Sequence, residues 1–231
     1  MGFISIIARR MTDNTVQYGY SGNGGYFKDV GYRLLEYYST PEMVEYLFSL
    51  GELKHLGIPH SELGGCHPLL STVLKNTPHN IGRSEREIFS RIAFIDCGYF
   101  YDKDNKWYYV IPGPIRIKIP LRLLENNLDN NEEEFDFCDT VAKNVLKNAF
   151  ELSFTLPTVQ EQMSALDLNS HKLKAAFLED EYNMYRLWEK YEFVFKALDD
   201  WCVIECDDEY KNVTACKLKP KSQTHTETIE W

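Results

Sequence analysis

Two short runs near the start of the chain, FISIIARR (3–10) and TVQYGYS (15–21), are rich in β-branched and aromatic residues and flank the segment MTDN. Asp13 and Asn14 suit a tight reversal, so the pattern predicts a β-hairpin. Glycines at 19, 22, 24 and 25 follow, and then the period changes. Val30, Leu34, Leu35 and Tyr38 recur at helical spacing, with Asp29 placed to accept hydrogen bonds from the first-turn amides. A second helix is predicted over 41–50: Thr40 can cap it and Pro41 suits its first position. Met43, Val44, Leu47 and Leu50 line one face before Gly51 ends it.

Residues 52–92 hold Pro59, Gly64, Gly65, Pro68 and Pro78, and read as irregular or short-helical. AFIDCGYFY (93–101), the turn DKDNK and WYYVIP (107–112) predict a second hairpin, extended by IRIKI (115–119). The alternation in IRIKI marks a half-exposed strand, its isoleucines inward and Arg116 and Lys118 outward. NNLDNNEEEFD (126–136) combines turn formers with an acidic run and is the candidate boundary or exposed loop. Beyond it, helices are predicted at 139–153, 157–166 and 170–198. The last carries an apolar stripe of Leu173, Phe177, Met184, Trp188, Tyr191, Phe195 and Leu198, expected to pack into the protein's own core. WCVIEC (201–206) and VTACKLK (213–219) predict a third hairpin. A turn at 208–210 would set Cys202 opposite Cys216, with Cys206 on the same face. The tail from residue 221 is expected to be mobile. The fold class read from this pattern is α+β. Residues 1–126 form a small antiparallel sheet with packed helices, and 127–231 form a mainly helical acidic part ending in a β-hairpin.

Composition supports a packed core: 44% of the 231 residues are hydrophobic and 14% aromatic. The apolar runs are far shorter than the roughly 20 residues of a membrane span. The start of the chain lacks the basic and long apolar regions of an export signal, so a cytoplasmic location without membrane contact is expected. Six cysteines are too few for a disulfide scaffold and are expected to be reduced, Cys202, Cys206 and Cys216 as a buried sulphur cluster. The net charge of −10 is unevenly spread: residues 1–126 hold 14 Lys and Arg against 13 Asp and Glu, whereas 127–231 hold 11 against 22. The halves therefore carry +1 and −11. Such a field repels nucleic-acid backbones and favours basic protein surfaces.

No complete catalytic signature is present. A phosphate-binding loop needs Lys-Ser or Lys-Thr after its glycines and a buried parallel strand before them, and here Tyr26-Phe27-Lys28-Asp29 follows a hairpin. A dinucleotide fingerprint needs a βαβ unit, which an antiparallel context does not supply. The glycines are expected to serve the turn itself. His55, His60, Glu62, Cys66, His67 and His79 crowd one stretch. Their spacing matches no common zinc site, and Cys66 has no visible orienting group beside a histidine. Neither a metal nor a cofactor nor a catalytic residue is expected.

Gly25-Tyr26-Phe27-Lys28-Asp29-Val30-Gly31-Tyr32-Arg33-Leu34-Leu35-Glu36-Tyr37-Tyr38 resembles the Gly-Tyr-Pro-x-x-Val-Gly-x-x-Leu-Leu-x-x-Tyr stretch of small uncharacterised proteins of phages and bacterial genomes. Leu50-Gly51-Glu52-Leu53-Lys54-His55-Leu56-Gly57 is similar to that group's Leu-Gly-Asp-Leu-Ser-x-Leu-Gly, and Tyr99-Phe100-Tyr101 with Lys106-Trp107-Tyr108 to its aromatic hairpin. The resemblance covers about residues 3–126 and implies phage association without catalytic residues.

Together with the acidic half, it leads to the expectation of a phage-encoded protein-binding inhibitor of a host factor, such as a nuclease or a CRISPR component. Its acidic face would dock on a basic, nucleic-acid-binding surface. The expected partner-binding residues are Glu132, Glu133, Glu134, Asp136, Glu179, Asp180 and Glu181, with Tyr182 and Tyr185 as aromatic anchors. Two alternatives stay open. One is a small-ligand enzyme or sensor whose pocket is lined by Tyr18, Tyr20, Tyr26, Tyr99 and Tyr101; the other is a virion component.

Overall fold

The opening alternation closes into the predicted hairpin: β1 (Ser5–Arg10) pairs antiparallel with β2 (Val16–Ser21), Ile6 opposite Tyr20 and Arg10 opposite Val16. Asn14 takes a left-handed backbone at the reversal (φ 70°), which Asn tolerates better than most side chains. The computed structural model describes residues 5–21, 25–51, 53–56, 72–73, 80–82, 97–111, 115–128, 134–169, 192–199, 201–221 and 227–230.

The first helical segment begins earlier than Asp29. A π-helical turn, Phe27–Gly31, runs directly into α1 (Tyr32–Tyr37), and Tyr26 stands at the N-cap with no side-chain bond. Phe27 and Val30 are both buried, and drawing them into the core extends the helical stretch past the expected cap. α2 (Pro41–Ser49) is as read: the Thr40 hydroxyl accepts from Met43 N at 3.4 Å, Val44 and Leu47 are buried, and Gly51 leaves the helix at φ 83°. Three short strands follow, β3 (Leu53–His55), β4 (Thr72–Val73) and β5 (Asn80–Gly82), and the rest of 57–96 lies outside the described residues.

β6 (Cys97–Tyr101), β7 (Trp107–Ile111) and β8 (Arg116–Pro120) form the predicted antiparallel meander. The helices α3 (Leu121–Leu128), α4 (Glu134–Ser153), α5 (Pro157–Ala165) and α6 (Glu192–Lys196) come next. The predicted helix at 139–153 thus starts at Glu134, because Phe137 and Cys138 also bury on its inner face. Of the segment 170–198, expected as one long helix, residues 192–198 are described, with α6 over Glu192–Lys196. There Phe195 and Leu198 are buried, and Leu173, Phe177, Met184, Trp188 and Tyr191 fall outside the described residues. β9 (Trp201–Cys206) and β10 (Val213–Leu218) make the third hairpin.

The tail does not simply hang free. β11 (Glu227–Glu230) adds antiparallel to β10, with Cys216 opposite Ile229. Strand addition needs only backbone donors and acceptors, so the low apolar content of the tail does not prevent it from satisfying an otherwise open edge.

All eleven described strands join one sheet, in the order β11-β10-β9-β8-β7-β6-β1-β2-β3-β4, with β5 also on β2. The fold is α+β and most strand pairs are antiparallel, but β1–β6, β2–β3 and β8–β9 are parallel. The change of charge at residue 126 coincides with no break in the sheet, since β8 pairs with β9 across it. One sheet face packs with the six described helices into a single core containing Ile7, Tyr99, Tyr109, Ile117, Cys202 and Cys216. The other face carries a second, smaller cluster around Ile6, Tyr18, Phe100 and Tyr108. Among the described residues no helix is long and apolar enough to cross a membrane.

Candidate functional site

Two hairpin tips and the start of α3 meet around a cleft of about 430 Å3. The β6–β7 tip contributes Asn105, Lys106 and Trp107, α3 contributes Leu121, Arg122, Glu125 and Asn126, and the β9–β10 tip contributes Glu209 and Tyr210. Leu35, at the far side, belongs to α1. Trp107 is fixed by its indole N–H, which donates to Tyr38 O at 2.7 Å. The β9–β10 tip is tied down by α3: the Asn126 amide donates to Glu209 O (3.1 Å) and Tyr210 O (2.8 Å), and the Asn127 amide reaches Lys211 O. Within the tip, Asp207 accepts from Lys211 N (2.7 Å) and from the Asn212 backbone and side chain. These bonds hold the Asp207 carboxyl below its ordinary range.

The Lys106 ammonium lies 5.5 Å from the centre of the Tyr210 ring, and its hydrogen bond with Tyr210 raises its pKa. Arg122 pairs with Glu125 at 2.8 Å, and Lys211 pairs with Glu209. Tyr210 itself has a left-handed backbone, φ 55°. In each of the three hairpins the left-handed residue donates its N–H to the carbonyl three positions earlier, Asn14 to Met11, Asn105 to Asp102 and Tyr210 to Asp207. Asn tolerates that backbone through its short polar side chain, whereas a tyrosine is strained there.

Lys118 departs from its expected outward position. It does project to the face opposite the isoleucines, but that face is buried too, and the residue is only 5% exposed. Its ammonium bonds Asp102 at 2.9 Å and sits 4.4 Å from the Phe100 ring centre and 4.9 Å from that of Trp201. Arg10 bonds the other Asp102 oxygen at 2.7 Å and also lies over Phe100. Burial lowers the Lys118 pKa against the pull of Asp102. Burial also opposes the Asp102 charge, but Lys118 and the bonds from Lys118, Arg10 and Lys103 N outweigh it and leave that carboxyl below its ordinary range. Both cations of this group bond the one carboxylate, which marks a structural tie between β1, β6, β8 and β9.

The β9–β10 register differs from the expected one by two residues. Cys216 faces Ile204, because the turn spans Asp207 to Asn212 and the pairing is irregular between Val213 and Ala215. A shift of two preserves the face, so Cys202, Cys206 and Cys216 still share one core as free thiols. The Cys202 thiol donates to the Cys216 sulphur, which raises the pKa of Cys202 and lowers that of Cys216. The Asn148 amide adds a bond to Cys216 at 3.7 Å. Among the described residues no group of three or more His, Cys, Asp and Glu side chains is arranged to hold a metal.

At the described end of the glycine loop, Gly25 O accepts from the Tyr99 hydroxyl (2.8 Å) and the Cys97 thiol (3.3 Å). Gly22 and Gly24, like His60, Glu62, Cys66, His67 and His79, lie outside the described residues. The five tyrosines considered as a pocket lining are divided. Tyr18 and Tyr20 flank one sheet face, Tyr99 and Tyr101 bury on the other, and Tyr26 is 40% exposed.

Of the expected partner-binding residues, Glu134 opens α4 and Asp136 is exposed on it. Glu132, Glu133, Glu179, Asp180, Glu181, Tyr182 and Tyr185 fall outside the described residues. Sequence reading missed the cleft, whose lining is drawn from segments up to about 170 residues apart in the chain. One local signal pointed to it: a tyrosine stands in the third hairpin where the other two have asparagine. Compared with known families, with curated proteins and with solved structures, the chain matches none.

Proposed function

We propose that the protein acts by binding: it presents acidic side chains to a basic, nucleic-acid-binding surface of another protein and competes with nucleic acid there. The observation that carries this reading is the −11 charge of residues 127–231, 11 basic against 22 acidic side chains. In the described part of that half Asp136, Asp139, Asp208 and Glu209 stand exposed, the last two on a tip braced by Asp207 and Asn126. A braced carboxylate loses little conformational freedom on docking, which favours complementarity with a basic surface. The setting proposed with it is a phage-encoded inhibitor of a host defence factor, a nuclease or a CRISPR component. That part rests on the resemblance of residues 3–126. A second reading, a small-molecule ligand, is supported by the cleft, whose volume lies within the roughly 300–1,000 Å3 common for ligand pockets.

The test is kinetic. A partner captured from a bacterial lysate is purified, and its association with the protein is followed at low and high salt. Acidic docking predicts association that slows as salt screens the charges over a Debye length of about 8 Å at physiological strength. Reversing Glu133 and Asp180 together, or Asp208 and Glu209 together, should slow association about tenfold at low salt and change dissociation less. An association rate indifferent to both salt and reversal rules the reading out.

A further inference from the structure

We infer that the cleft between the hairpin tips receives an arginine side chain of the basic partner, stacked on the ring of Tyr210, an assignment that rests on the acidic-docking reading above. Tyr210 occupies a left-handed turn position that the β1–β2 and β6–β7 hairpins give to Asn14 and Asn105. A bulky residue held there is destabilising for the turn, and such outliers gather where a side chain is needed for binding. The tyrosine supplies a ring that packs against the edge of the core and forms part of the wall of the cleft, held in place because Asn126 grips the Tyr210 carbonyl at 2.8 Å.

The Tyr210 side chain already holds a cation: the Lys106 ammonium hydrogen-bonds to it and lies 5.5 Å from its ring centre. The carboxylates beside it, Glu125 and Glu209, are likewise engaged by side chains of this chain, Arg122 and Lys211. The Lys211–Glu209 pair is exposed on both sides, and Arg122 is exposed over a largely buried Glu125; exposed ion pairs are weak and exchange partners readily. The cleft is thus a cation-accepting site occupied by side chains of its own chain. Its lining carries two positive and two negative side chains, Lys106 and Arg122 against Glu125 and Glu209, so the sign of the incoming group is decided by the whole molecule. At a net charge of −10 the surrounding field concentrates cations. Between the two cationic side chains, the planar and weakly hydrated guanidinium stacks on a tyrosine while bonding a carboxylate in its own plane, which an ammonium does not.

The probe is a fluorescein-labelled hexa-arginine peptide, titrated by anisotropy at low salt against the full chain and its variants, with hexalysine for comparison. The wild type is expected to bind hexa-arginine more tightly than hexalysine. Tyr210→Asn, which leaves the charge unchanged and suits the turn, should lose about tenfold in affinity, while Tyr210→Phe keeps it. Lys106→Met, which clears the resident cation from the ring, should strengthen binding severalfold. Thermal melts by circular dichroism establish that each variant is folded, and the exposed position of Lys106 keeps its arm independent of the core. Unchanged affinity in a folded Tyr210→Asn, or a loss in Lys106→Met, overturns the cleft assignment and leaves acidic docking standing. Equal affinity for the two peptides overturns the choice of guanidinium. Absence of salt-dependent binding to either peptide by the wild type removes acidic docking and this inference together.

Discussion

Lys118 shows how much a single side chain depends on what lies across from it. Its ammonium is held by Asp102 at 2.9 Å and by the faces of Phe100 and Trp201, with Arg10 on the far side of the same carboxylate. Removing one partner of a buried pair strands the other, at a loss of about 3–5 kcal/mol, whereas replacing both by apolar groups is close to neutral. Asp102→Ala should therefore destabilise by about 3 kcal/mol in denaturant titrations, and Asp102→Ala with Lys118→Met should recover the Lys118 part of that loss while Arg10 still lacks this carboxylate. The pH dependence has a definite sign. The Asp102 carboxyl is held below its ordinary range, so its contribution is complete above the unfolded carboxylate value of about 4 and is lost as pH falls through the folded value. Burial lowers the Lys118 pKa, so the penalty on its charge fades as pH rises toward the unfolded lysine value of about 10.4. An Asp102→Asn variant should show a flatter loss of stability in acid than the wild type.

At the scale of elements, the π-helical turn and α1 turn on one close contact. A methyl group added at Gly31 would fall on the ring of Phe27, and both residues are buried in the core. The backbone there is right-handed (φ −58°), so glycine is present for space and its conformational freedom is not used. Gly31→Ala should destabilise by about 1–3 kcal/mol, the usual penalty for overpacking. Gly31→Ala combined with Phe27→Leu should be less destabilised than the sum of the two single changes, measured by chemical denaturation, because the smaller side chain vacates the contested volume. If the two changes simply add, the contact is not what constrains position 31. The hairpin tips follow a related logic, with turn residues chosen for the backbone at Asn14 and Asn105 and against it at Tyr210.

For the whole molecule the decisive feature is the continuity of the sheet. β8 pairs in parallel with β9, with Ile117 opposite Cys202, and residues from both sides of position 126 fill one core. Parallel pairing between segments some eighty residues apart gives neither side a closed surface of its own. Unfolding should accordingly be a single transition, with tryptophan fluorescence and far-ultraviolet circular dichroism coinciding across denaturant. A fragment comprising residues 1–126 should fail to fold cooperatively. Two separated transitions, or an independently stable fragment, would show that the acidic half is a unit of its own. The charge asymmetry then describes two regions of one surface, the setting in which acidic docking has been proposed.

What the sequence determined by itself was local. Alternation and helical spacing located the hairpins at 5–21, 97–111 and 201–218 and the helices at 41–49 and 157–165, because both periods arise from neighbours two to four residues apart. Thr40 and Gly51 marked the ends of α2 for the same reason: a cap bonds within one turn of its helix. The anomaly of Tyr210 was also written in the chain, as a bulky residue in a turn. The tertiary structure alone decided the rest. Alternation told the two faces of β8 apart and left open whether the second was covered, and that cover is what buried Lys118. The irregular pairing after Val213 moved the cysteines by two positions, and an open edge on β10 recruited the tail. The cleft formed where Asn126 caught the carbonyls of Glu209 and Tyr210 across more than eighty residues of chain. Contacts at that separation follow from how the sheet closes on its helices, and no short-range period in the chain encodes them.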